Sequence, residues 1–501
     1  MKKNVPQRAA LSALALVLAA CGGGGGGGGG TVAQGGSGGA GIGGSGYRSN
    51  GTITEFGSIF VNGIEFDTSS ATFEIEDGTG SQANLQKGMR VVVEGSVNAG
   101  GTTGVATRVR FEDQLEGPIP AASTITTDAD GENKRFTILG VPVTANQIDT
   151  TFVGVTFASL APGQELQISG FFDAAGLLHA TAIVSKGGFT PGASLVEAKG
   201  TVTTLGATTF SLRVGTTTLT VDYTSANLSQ VPGGLLAGQS VEAKGTIASD
   251  TATTIVATQV KLDDTGLSNG NQVELEGIVT SFSSAGSFAV DGQTVSAAGA
   301  TLTPTNLVLR AGIRVEVEGS VQNGVLQATR VKLREGNNRV HATASNVSGA
   351  SFVLTVAGQT VRVTADSSTR LEDKTSGTPL TLATLNRVDG RFLEVRGYDD
   401  GTGTGLIATR IEIENPDDVI LQGTLQSQVV GTSITVLGVV FPVDGTTEYQ
   451  DTTNAQLAGG QTQFAGQVQN GVTLIRIKDK EPGSGGANPV GVADEVEIQT
   501  P

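Results

Sequence analysis

Few residues in this chain have the type and spacing that chemistry requires. The two histidines, His179 and His341, stand in non-equivalent contexts, and the single cysteine is Cys21. Histidines so placed form no zinc ligand set, and neither has the marked partners of a Ser/His/Asp arrangement. Both read as polar strand residues. The run Asp128-Ala129-Asp130-Gly131-Glu132 has the alternating oxygens and tight glycine of a calcium loop, but it lacks the full spacing and the terminal bidentate glutamate. Asp128 and Asp130 are therefore the candidate metal ligands, set against the plainer reading of a polar hairpin tip. Asp399-Asp400-Gly401 is a poorer version, and Asp263-Asp264 and Asp417-Asp418 have no opposing carboxylate with which to do acid–base work. These patterns lead us to expect no catalytic residue and no cofactor.

Cys21 offers chemistry of another kind. Lys2, Lys3 and Arg8, an apolar run from Ala9 to Leu18, and the small Ala19 and Ala20 precede it, the pattern of a secretory signal too short to span a bilayer. Leu18-Ala19-Ala20-Cys21 resembles the bacterial lipobox. That resemblance implies cleavage before Cys21, acylation of its thiol, and a lipid anchor in the cell envelope. Gly22 in place of aspartate, by the same resemblance, favours the outer membrane of a Gram-negative bacterium. Residues 22–50 are Gly/Ser-rich, unbroken glycine from Gly22 to Gly30, and read as a flexible tether with a span on the order of 30 Å. A phosphate loop is excluded there, because no strand precedes it and no Gly-Lys-Ser/Thr follows.

Composition narrows the fold. Of 501 residues 74 are glycine, aromatics make up 4%, and tryptophan is absent, which suits many turns and small β cores. The formal charge is −16, and losing Lys2, Lys3 and Arg8 leaves 28 basic against 47 acidic residues, or −19. Such a surface repels nucleic acid. The expected partners are the membrane, through the anchor, and other envelope proteins or polysaccharide.

A phrase like Gly312-Ile313-Arg314-Val315-Glu316-Val317-Glu318-Gly319 recurs six times. Its first glycine is Gly88, Gly163, Gly238, Gly312, Gly390 and Gly459, and its second is Gly95, Gly170, Gly245, Gly319, Gly397 and Gly466. Alternation turns Val315 and Val317 to a core and Glu316 and Glu318 to water. An Ala-Thr-x-Val strand follows, as at Ala328-Thr329-Arg330-Val331. Arg108, Arg330 and Arg410 fall on its outer face, where we expect them to pair with Glu94, Glu316 and Glu394 rather than form an anion site. Each unit also has an opening strand and a hairpin. Asn62-Gly63 and Asp291-Gly292 are the turn pairs that tolerate positive φ at both positions. A connector with Leu85, Leu160, Leu235 or Leu309 three before the first glycine suits one helical turn plugging the core.

Five strands with that connector give an all-β chain of six tandem OB-like five-stranded barrels, with a continuous extended β-sheet array as the alternative. The second glycine marks a bulge at a barrel corner. The expected repeats are 51–113, 115–187, 196–264, 273–335, 339–415 and 419–499, the last with an inserted loop at 478–491. The opening Gly-x-Ile/Val, the Phe-x-Val-x-Gly hairpin, the Gly-x-x-Val-x-Val-x-Gly phrase and the Ala-Thr-x-Val ending together resemble bacterial lipoproteins with tandem copies of the domain of unknown function 5666. The resemblance covers about residues 51 to 499 and brings no activity to any residue. The functional expectation is a non-enzymatic, lipid-anchored repeat scaffold, spacer or binding array, with a periplasmic small-ligand or divalent-metal binder as the alternative.

Overall fold

The computed structural model describes residues 46–76, 78–111, 113–129, 131–263, 267, 269–480 and 490–499. Leu18, Ala19, Ala20, Cys21 and Asp130 lie outside them. In the first repeat the opening strand Tyr47–Phe56 pairs antiparallel with Ile59–Val61 and with Arg90–Val97. The second hairpin strand, Ile64–Asp67, runs parallel to the closing strand Thr103–Phe111, which returns antiparallel to Arg90–Val97 and closes the barrel. The same parallel closure recurs at Val143↔Leu178, Thr220↔Thr254, Val295↔Leu326 and Arg362↔Gly405. These are OB-like barrels, as their strand order predicts.

The two glycines of the phrase have separate jobs. Gly312 has φ of 88° and its N–H donates to the Val279 carbonyl at 2.9 Å, tying the fourth strand to the opening one. Gly88, Gly163, Gly238 and Gly390 make the same bond to Ile53, Ile119, Val202 and Ala344. Gly319 lies at a register shift, and a Cβ there would come within 2.0 Å of the Gln327 carbonyl oxygen. This is the expected bulge. Of the connector leucines, Leu85, Leu160, Leu235 and Leu309 are all buried, while the helical turn itself forms in the first, fifth and sixth repeats.

The sixth repeat departs from the expected alignment. Gly459 and Gly466 cap a short helix, Gly460–Ala465, and are not the ends of a strand. Gly471 takes the anchoring role, donating to the Leu425 carbonyl at 2.7 Å, and the fourth strand is Leu474–Asp479. Lys478 and Asp479 therefore belong to that strand and not to the inserted loop, most of which lies outside the described residues. Here the second hairpin strand, Val439–Pro442, pairs among the described residues with the first alone, and Glu448–Gln450 supplies the parallel contact to Glu495–Gln499.

The barrels do not stay apart as separate sheets. Their opening strands join them in pairs, giving sheets of 13, 12 and 12 strands. Repeats two and three pair through Glu116↔Glu197 and Leu115↔Ala198, and five and six through Arg339↔Gln422 to His341↔Ile420. Repeat one skips its neighbours and pairs with repeat four. Tyr47 to Asn50, expected to be tether, run parallel to Gln272 to Leu275. Elements of both expected architectures are thus present, closed barrels within sheets that cross repeats. A closed barrel still leaves half of its opening strand free to pair, and the charged residues flanking it become interior to the pair.

Candidate functional site

The strands' charged faces are where the molecule departs most from simple alternation. Val315 and Val317 are buried as expected, but Glu316 is only 2% exposed. It lies 3.4 Å from Arg334 and 3.5 Å from Arg330. Glu318 keeps the expected exposure. Burying so many charges demands partners for each, and some of these come from other repeats. Glu132 faces Arg339, Arg396 and Arg476 from the fifth and sixth repeats. Burial would raise its carboxyl, and those three guanidinium groups hold it below the usual range.

Repeats one, two, four and five meet around a cavity of about 250 Å³. Six cationic side chains line it: Arg314, Lys332, Arg334, Arg370, Arg396 and Arg410. Asp149, Glu276, Glu335 and Asp366 are the carboxylates on its walls. Three of the arginines form a row. Register places Arg396 opposite Arg410 and Arg410 opposite Arg370, across the neighbouring strands Phe392–Asp399, Gly405–Glu414 and Arg370–Asp373. Two residues along, and so on the same face, Glu394, Glu412 and Glu372 form a parallel row of opposite sign.

Like charges directly across a ladder repel. Ion pairing therefore runs along the strands and, from Arg410 to Glu372, diagonally between them. Arg396 lies 2.8 Å from Glu394, Arg410 pairs closely with Glu412, and Arg370 is 3.9 Å from Glu372. Arg370 also donates to the Asp149 carbonyl at 3.0 Å and to the Thr151 hydroxyl at 2.8 Å. Burial first, and then the neighbouring Arg410, pushes the Arg370 guanidinium down to about 10. Arg370 Nε, Arg410 Nη1 and Arg314 Nε are buried without a hydrogen-bond partner among the described residues. The arrangement is a polar, cation-rich recess, and guanidinium groups are what an anion recognises.

The residues singled out from sequence are distributed differently. Asp128 accepts from the Glu132 and Asn133 backbone N–H groups at 2.9 and 3.1 Å and from the Asn133 side-chain amide at 2.6 Å, as a hairpin tip does. His179 reaches the rim of the cavity and lies 3.1 Å from Asp173. His341 is buried beside Arg339 and Glu394, and burial lowers its imidazole below its ordinary value. Of the three expected ion pairs, Arg108–Glu94 forms at 3.7 Å and Arg330–Glu316 at 3.5 Å. Arg410 instead pairs with Glu412 and Glu372, because its cross-strand neighbour is Arg396. Arg370 carried no sequence signal, lying outside both repeated phrases.

A family model described as "Domain of unknown function (DUF5666)" matches residues 50–110, 117–184, 276–332, 343–412 and 422–462. The chain belongs to this family. Between the second and third matched segments, residues 196–262 build another barrel of the same strand order, so DUF5666 architecture runs through the described chain. None of the curated proteins matches it. Among solved structures it is similar to "drosophila Unr CSD456", at 15% identity and a TM-score of 0.11, covering 43% of this chain and 96% of that one. A multidomain protein with nucleic acid binding domains from Streptococcus pneumoniae is similar at 12% identity and a TM-score of 0.12, covering 44% and 73%. Superpositions this poor carry no functional argument.

Proposed function

We propose that this DUF5666 protein is a non-enzymatic, lipid-anchored component of the bacterial cell envelope that holds a small anionic ligand between its barrels. The observation that carries the binding reading is the row Arg396, Arg410 and Arg370, which lines one cavity together with Arg314, Lys332 and Arg334 in a chain of net charge −16. At about 250 Å³ the cavity suits a phosphate, sulfate or carboxylate of modest size. A nucleic-acid strand is disfavoured by the acidic excess, since such a strand needs basic side chains along its whole path. The anchor reading rests on Leu18-Ala19-Ala20-Cys21, and the envelope location follows from it. Among the described residues, no helix is long and apolar enough to cross a membrane.

Thermal unfolding of the purified chain with inorganic phosphate, sulfate and citrate tests the cavity. At least one should raise Tm in the wild type and not in Arg410→Gln; no shift with any of the three overturns the anion reading. Metabolic labelling with a fatty-acid probe tests the anchor independently, and label that persists in Cys21→Ser removes it.

A further inference from the structure

Away from the cavity, three carboxylates from three parts of the chain converge. Glu76 follows the strand Thr72–Ile75 of the first repeat, Asp113 lies in the link to the second, and Glu197 is in the opening strand Val196–Leu205 of the third. One oxygen from each lies within 4.8 Å of the others. Asp113 is fully buried, and neither of its oxygens has a hydrogen-bond partner among the described residues. Glu197 is 1% exposed. A buried carboxylate left ionised without donors is strongly disfavoured, so this cluster calls for either a shared proton or a bound cation beside its lysines. Lys244 Nζ lies 3.1 Å from Glu197 and 3.8 Å from Glu76. Lys186 faces Glu116, the cross-strand neighbour of Glu197, at 3.3 Å.

We propose that Glu76, Asp113 and Glu197 bind one divalent cation, of the hard, calcium-like class. An ion bonded to oxygens at about 2.3–2.6 Å spans pairs of ligands up to roughly 5 Å apart, which the observed spacing allows. A ligand set of carboxylate oxygens, with no nitrogen or sulfur, suits hard cations such as calcium, magnesium or manganese. The ion would tie the first barrel and the link after it to the third barrel. The site is independent of the anion cavity and of Asp128.

Calorimetry of the chelator-treated full-length chain with calcium chloride tests this. The expected result is one ion per chain, with affinity falling at least about tenfold in Asp113→Asn and in Glu76→Gln and unchanged in Asp128→Asn. Glu76 lies at the open edge of the cluster, so its variant decides the matter if Asp113→Asn does not fold. No heat and no rise in Tm at millimolar calcium overturns the proposal in favour of a proton shared between Asp113 and Glu197. Equal binding in both variants overturns it as well, since the ion would then sit elsewhere on the acidic surface.

Discussion

Thr52 and Glu276 lie 224 residues apart, yet the Thr52 N–H and hydroxyl both donate to one Glu276 oxygen at 2.8 Å. Arg314 and Arg334 approach the same carboxylate at 2.9 and 3.4 Å. Burial would raise Glu276; the two arginines and Thr52 instead hold it at about 2. A carboxyl whose folded pKa lies below its unfolded value stabilises the fold above the unfolded pKa, and that stability is lost as pH falls. The window runs from about 4.5 down to about 2, and the contribution is about 3 kcal/mol. Urea midpoints at pH 7 and pH 3 should therefore differ less in Glu276→Gln than in the wild type. An equal pH response in both would show that the pair between repeats one and four does not carry this term.

The glycines of the phrase give a contrast within one chain. Gly319→Ala places a methyl 2.0 Å from the Gln327 carbonyl oxygen, a backbone atom that cannot yield without breaking the bulge. Gly466 has φ of −77°, and the nearest atom to an added Cβ is 3.4 Å away. We expect Gly319→Ala to lower stability by at least ~2 kcal/mol and Gly466→Ala to be neutral within about 0.5 kcal/mol. Comparable losses in both would restore Gly466 to the strand and refute the helix.

Phe171 joins three repeats in a different way. It is buried, and the guanidinium carbons of Arg90 from the first repeat and Arg314 from the fourth both stand 4.7 Å from its ring centroid. Phe171→Leu keeps most of the apolar area and removes both ring contacts. The expected loss is ~2 kcal/mol, about half of it from the two cation–π contacts. Phe171→Tyr, which keeps the ring face, is the control: if it loses as much as leucine does, packing alone explains the position.

What the sequence made legible was whatever is local to one repeat. The hairpin at Asn62-Gly63, with φ of 53° and 80°, the anchor at Gly312 and the bulge at Gly319 are all set by residues close in the chain. The charged faces were not legible, because Glu316 and Arg410 alternate with valine or isoleucine as any water-facing residues do. Only the pairing of Tyr47–Asn50 with Gln272–Leu275, and the meeting of four barrels, turns those faces inward. The sixth repeat misled for the opposite reason. Gly459 and Gly466 reproduce the spacing of the phrase, but Gln461, Thr462 and Gln463 between them break its valine alternation and favour a helical turn. Spacing alone outweighed pattern there.

The arginine row makes a prediction in which stability and binding move oppositely. Arg370 sits beside Arg410 with its guanidinium pushed down to about 10, so the folded state disfavours its charge. For a base with a depressed folded pKa the unfolded chain binds the proton more tightly, and the penalty is fully present at every pH below about 10. Arg370→Gln gives up the contacts to the Asp149 carbonyl and the Thr151 hydroxyl, but it also removes the buried charge and its repulsion with Arg410, so its urea midpoint at pH 7 should equal or exceed that of the wild type. The same substitution removes the guanidinium and its charge from the recess, so any Tm shift caused by phosphate, sulfate or citrate should disappear. A stabilised variant that has lost its anion response is the signature of a site strained for its ligand. A destabilised variant that still responds would instead make Arg370 a structural link to Asp149 and Thr151, and would move the binding site elsewhere.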